Sequence, residues 1–242
     1  MRPADKTAKQ YPRRSLMVKT NLLFQSLCLG VLTLVSSNLV AENPQNAKSP
    51  QMSVTVGSPV VHPSDAPIPG VKVLYSNLGS KTDTYTDNTG WTISGPDSEL
   101  GFSQAIGIPW TPTTNSTIQG LQVALQWAGG GTDNGAIAVF SDASGLPGKP
   151  LKVWNPSNLP TFGTCCALVT VKDPAGIKVS AGTQYWIVVG TDNASTTAFD
   201  VWDYTWNEIQ GTVAFEGNVS TNGVWETFTG TLPAFAIYGT TP

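Results

Sequence analysis

The chain has 242 residues, with 13 Lys and Arg against 16 Asp and Glu, and enough length for one or two domains with a substantial core. Its arginines are Arg2, Arg13 and Arg14, so everything beyond them lacks guanidinium groups. Nucleic-acid and phosphate recognition rely on Arg forks and clustered positive charge, and the composition excludes both as leading functions.

Leu22 to Val35 (LLFQSLCLGVLTLV) is an apolar run preceded by Arg13, Arg14 and Lys19 and followed by small residues up to Ala41. That order of charge, apolar core and small residue predicts a secretory signal over residues 1–41, with Met17 as an alternative start. An uncleaved membrane anchor is the competing expectation, because Leu22 to Ala41 has the length of about 20 residues that a spanning helix needs. Gln25, Ser26 and Asn38 dilute the run, which favours cleavage and leaves no stable membrane span. After residue 41 the chain holds seven basic and fifteen acidic residues, a formal charge of −8.

Residues 42–70 are rich in Pro, Ser, Asn and Gly and read as an extended linker, with MSVTV as a short edge strand. From 71 to 242 the pattern is short apolar alternation broken by Gly, Pro, Asn and Asp. Strands are expected around 72–77, 90–94, 102–111, 116–127, 135–141, 150–155, 165–172, 176–180, 184–190, 198–206, 211–216, 224–228 and 233–239. In IQGLQVALQW, Leu121, Val123, Leu125 and Trp127 share one face, and Gln122, Ala124 and Gln126 form a wet one. The expected fold is all-β, an antiparallel sandwich of jelly-roll type.

Five segments, QAIGIPWTP, DASGLPGKPL, FGTCC, GTQYWIV and LPAFAIYG, occur in this order. Together they resemble the choice-of-anchor family of exported bacterial domains, most nearly the R type, over residues 72–240. The resemblance implies a β-rich extracellular domain of unassigned activity followed by a carboxy-terminal sorting or anchoring tail. This sequence closes on YGTTP with no apolar tail or basic end, so free secretion or periplasmic residence is expected over tail-mediated anchoring.

Catalytic chemistry has few candidates. His62, the single histidine, lies in the linker, so a Ser-His-Asp or Cys-His arrangement lacks a base within the domain. His62 and adjacent cysteines do not make a zinc site. Asp200, Asp203, Glu208, Glu216 and Glu226 crowd the late chain, and glycoside hydrolysis needs two such acids facing a cleft. In a strand Asp200 and Asp203 point to opposite faces.

The turns TDNTG, GTDNG, SDASG and GTDNA hold Asp87, Asp133, Asp142 and Asp192 in oxygen-rich loops of the kind that bind calcium. Asx turns need the same residues, and none of the four has the spacing of a dedicated calcium loop, so no cofactor is expected and turn chemistry is preferred.

FDVWDYTWNE places Asp200, Trp202, Tyr204 and Trp206 on one side of a strand. With Trp225 nearby, this is a candidate glycan platform, with flat rings for the apolar faces of sugars and a carboxylate for hydroxyl groups. The alternative is that the rings fill the core. Cys165 and Cys166 are the only cysteines after the signal, at the mouth of an expected strand. Reduced structural thiols and a vicinal disulfide are equally open, and no C-x-x-C spacing or helix start supports a redox pair. The sequence therefore predicts an exported, non-catalytic module that binds or scaffolds at the cell surface or in a polysaccharide matrix. Its expected partner is a glycan or surface polymer, and its rivals are a carbohydrate-active hydrolase and a purely structural module.

Overall fold

Apolar alternation interrupted by turn residues becomes thirteen β-strands and, among the described residues, no helix. The computed structural model describes residues 70–192, 194–217 and 223–242, all within the unit Lys48–Pro242. The expected signal segment and the linker up to residue 69, with His62 and the MSVTV strand, lie outside them. In chain order the strands are β1 (Lys72–Ser76), β2 (Gly90–Ser94), β3 (Gln104–Trp110), β4 (Ser116–Val123), β5 (Leu125–Trp127), β6 (Ala136–Asp142), β7 (Pro147–Trp154), β8 (Val169–Val179), β9 (Tyr185–Gly190), β10 (Phe199–Asp203), β11 (Gln210–Gly217), β12 (Glu226–Thr231) and β13 (Phe235–Thr240).

Every strand pair is antiparallel, and the strands form two sheets. The smaller runs β1-β13-β4-β8. The larger runs β5-β10-β2-β3-β9-β6-β7, and β11 also pairs with β3 and carries β12 outward. The first strand thus lies beside the last, the jelly-roll manner of winding a sandwich. One apolar core joins both sheets, with Ile118, Leu121, Val123, Phe235 and Ile237 from the smaller and Ile93, Ile106, Val139, Ile187, Trp202 and Val213 from the larger. Alternate residues of β9 and β6, Trp186, Val188, Ala138 and Phe140, form a second cluster on the other face of the larger sheet.

Two boundaries differ from expectation for backbone reasons. The expected strand 116–127 divides at Ala124, where the chain leaves the smaller sheet for the larger. A ring of backbone bonds fixes that corner: Ala124 N–H to the Ala234 carbonyl (3.1 Å), Ala234 N–H to Asp203 (2.8 Å) and Asp203 N–H back to Ala124 (2.9 Å). Conversely, the expected strands 165–172 and 176–180 are one strand, β8, with the Asp173–Gly176 stretch taken up where the β4 register shifts. β8 starts at Val169, so Cys165 and Cys166 precede it in a turn.

The expected wet face of IQGLQVALQW is covered. Gln122 and Gln126 are both buried. Gln122 is bonded to the Tyr238 hydroxyl and to Thr170, and Gln126 lies under the 162–167 turn. Hydrogen bonding on both sides is what allows two amides to occupy these positions.

Candidate functional site

β10 ends at Asp203, and the chain passes from the core to the rim over the residues that follow it. Asp200 and Trp202 are fully covered, Tyr204 is half-buried, and Trp206 is 48% exposed. Trp202 stacks edge-on against Phe235 at 5.9 Å and donates its indole N–H to the Ala234 carbonyl at 3.0 Å. It is a core residue, the alternative the sequence left open. Trp225 packs against the Trp186 cluster on the opposite face of the larger sheet. The five residues of the expected platform are therefore not gathered into one exposed surface.

A different aromatic group takes its place at the rim. Trp91 is the register partner of Trp202 and shares its face, half-covered at the core's edge. Its indole N–H donates to the Thr231 carbonyl at 2.8 Å, which fixes the ring. Tyr204 and Phe228 meet it edge to face, with centroids 5.7 and 5.4 Å away. Phe228 lies opposite core residue Val213 in the β11–β12 ladder, hence on the same side of that hairpin, yet is 40% exposed. Gly230 makes this meeting possible, because a Cβ there would stand 2.8 Å from Phe228 and 3.0 Å from Trp91. Glu226 is exposed and lies two residues before Phe228 on the same side of the strand. Sequence reasoning missed Trp91 and Phe228 because cross-strand register creates their proximity.

The late-chain acids occupy separate places. Asp200 and Asp203 are fully buried on opposite faces of β10, and none of their carboxylate oxygens has a hydrogen-bond partner. Burial and the charge of Asp133 push Asp200 up to about 8; burial and the charge of Asp87 push Asp203 up to about 9. Glu216 is raised by burial and lies on the opposite side of β11 from Phe215, whose partner is Glu226. Glu208 is exposed in the turn after β10.

Cys165 and Cys166 are joined as a vicinal disulfide across a cis peptide. The turn is held by backbone contacts that bypass sulfur. Gln126 accepts from Gly163 N–H at 3.0 Å and donates to the Thr164 carbonyl, while the Tyr85 hydroxyl donates to Thr164 at 2.8 Å. Cys166 borders a depression of about 220 Å³ lined also by Leu78, Lys81, Gln122, Leu168 and Tyr238. A second depression, about 400 Å³, is bounded by Asn115, Thr117, Lys178, Ser180 and Thr240. Neither involves the aromatic group.

Comparison with protein-family models, with curated proteins and with solved structures found no match. Among the described residues, no three His, Cys, Asp or Glu side chains surround a point where one ion could be held, and no helix is long and apolar enough to cross a membrane.

Proposed function

We propose that this is an exported binding module of the extracellular or periplasmic space, which holds a glycan or related surface polymer on the Trp91, Tyr204 and Phe228 rings, extended by the exposed Trp206 two residues after Tyr204. The observation that carries this reading is the edge-to-face contact of Trp91 with two other rings, one of them, Phe228, left 40% exposed although its strand partner Val213 is in the core. An aromatic held rigidly in partial contact with solvent offers apolar area at low entropic cost, which suits the flat faces of sugar rings. Glu226 supplies an acceptor for hydroxyl groups on the same side. The signal-like leader and the choice-of-anchor resemblance of residues 72–240 support export. The hydrolase alternative loses Asp200 and Asp203, which are fully buried, and Glu216, which lies on the other side of β11 from Phe215; it is left with Glu226 beside Phe228 and Glu208 near Tyr204.

The test is an array of glycans and bacterial surface polymers, probed with the intact protein and with a Trp206→Ala Phe228→Ala variant. Binding without release of new reducing ends supports a module; release of reducing ends supports the hydrolase.

A further inference from the structure

Four aspartates in oxygen-rich turns were candidates for calcium, and their surroundings now separate them. Asp142 is engaged by its own fold, accepting from Gly145 N–H, Gln184 and Trp186. Asp192 is likewise satisfied by Ala194 N–H, Ser195 N–H and Asn155. Asp87 lies near Asp203 and Tyr85, beside the disulfide turn. Asp133 is different. One of its oxygens accepts from Leu159 N–H at 2.7 Å, and among the described residues the other has no partner.

Asp200 lies beneath that turn. Its Oδ2 is 3.6 Å from where a Cβ of Gly135 would stand, and the same point is 3.8 Å from Leu159, the residue that Asp133 holds. Asp200 is fully covered and both its oxygens are unpartnered. The neighbouring strand segment adds another such atom: Asn155 Oδ1 is buried without a donor, and the next residue, Pro156, accepts from Gly135 N–H at 3.1 Å. Among the described residues the unpartnered atoms of this corner are oxygens. A buried acceptor set without donors is what a hard cation satisfies. Asp133 is half-buried at the rim and opens the corner to solvent.

We propose that this corner binds a calcium-class divalent cation, with the carboxylates of Asp200 and Asp133 as charged ligands and the Asn155 amide oxygen beside them. Two carboxylates, in place of the three or four of a high-affinity loop, put the site at the weak end, with a Kd of roughly 10⁻⁴–10⁻³ M typical of extracellular modules. The inference is independent of the glycan reading, since the aromatic rim takes no part in it.

Terbium, a luminescent stand-in for calcium, tests it directly. Trp127 is the register partner of Asp200, so the two side chains stand roughly 5 Å apart at Cβ and the indole would sensitise a bound ion. Full-length protein freed of metal by chelator should show terbium emission excited through tryptophan, displaced by calcium. Calcium at about 10 mM should raise Tm by roughly 5 °C. Both responses should vanish in Asp200→Asn and, should that buried variant not fold, in the rim variant Asp133→Asn. A protein with no sensitised emission and a Tm unmoved by calcium or chelator overturns the proposal. So does an undiminished response in either variant, or an equal response to magnesium, which would remove the calcium-class assignment.

Discussion

Gln126 donates its amide N–H to the Tyr85 hydroxyl at 2.9 Å, and both side chains are fully buried beneath the disulfide turn. Between them they serve Gly163 N–H and the carbonyls of Thr164 and Ala167. Truncating Gln126 leaves several of these groups without partners in a dry interior, whereas Tyr85→Phe removes a single hydroxyl. Gln126→Ala should therefore cost about 2–4 kcal/mol and Tyr85→Phe about 1–2 kcal/mol in urea unfolding. Equal costs would show that the amide does not organise this turn.

The disulfide itself contributes little to stability, because cross-linking neighbours closes the shortest possible loop and removes almost no entropy from the unfolded chain. A Cys165→Ser Cys166→Ser variant should lie within about 1 kcal/mol of the parent. Intact mass after alkylation, with and without reductant, confirms the bond independently. A loss of several kcal/mol would mean that the sulfurs hold the turn.

Asp203 makes stability depend on pH. Burial first, and then the charge of Asp87, push its carboxyl up to about 9, while the adjacent Tyr85 hydroxyl is pushed up to about 12. The unfolded chain releases that proton near its ordinary value of about 4, so between about 4 and 9 the folded state holds the extra proton. The contribution is complete below about pH 4 and is lost as pH rises to about 9. Asp203→Asn should flatten the fall in Tm across this window and, at pH 8, be more stable than the parent by on the order of a few kcal/mol. Parallel pH profiles for the two proteins would refute this.

Gly230 shapes the aromatic rim. Its φ is not in the left-handed region, so an alanine meets no backbone strain and acts only through its Cβ, which would press on Phe228 and Trp91. Phe228 is exposed enough to swing away. Gly230→Ala should therefore change stability by less than about 1 kcal/mol while altering the near-ultraviolet dichroism of the rings and weakening ligand binding. Unchanged dichroism would show that the rings do not depend on this glycine.

The all-β sandwich was legible because alternation and turn residues act locally, and most strands stand where their apolar residues put them. The exceptions are non-local. Ala124 gives no sign that its strand changes sheets, since the reason lies in backbone bonds to Asp203 and Ala234. Gln122 and Gln126 looked solvated because their partners, Tyr238 and Tyr85, are 116 and 41 residues away. For FDVWDYTWNE the sequence left depth open between an exposed platform and rings filling the core, and Trp202 lies in the core. Trp202 opposite Trp91 is covered, whereas Tyr204 and Trp206, beyond the end of β10, reach solvent. Trp91 and Phe228 were in view as residues but not as neighbours, because only the β2–β10 and β11–β12 registers bring them together.

The rim rings are proposed to hold a carbohydrate polymer. Electrophoresis of the native protein through gels containing soluble bacterial polysaccharides reads this directly. The parent should be retarded by at least one polymer, and the Trp206→Ala Phe228→Ala variant, which loses two half-covered rings at a cost on the order of 1–3 kcal/mol and should still melt cooperatively, should migrate as if the polymer were absent. Free migration of the parent in every polymer, or equal retardation of parent and variant, would contradict the claim.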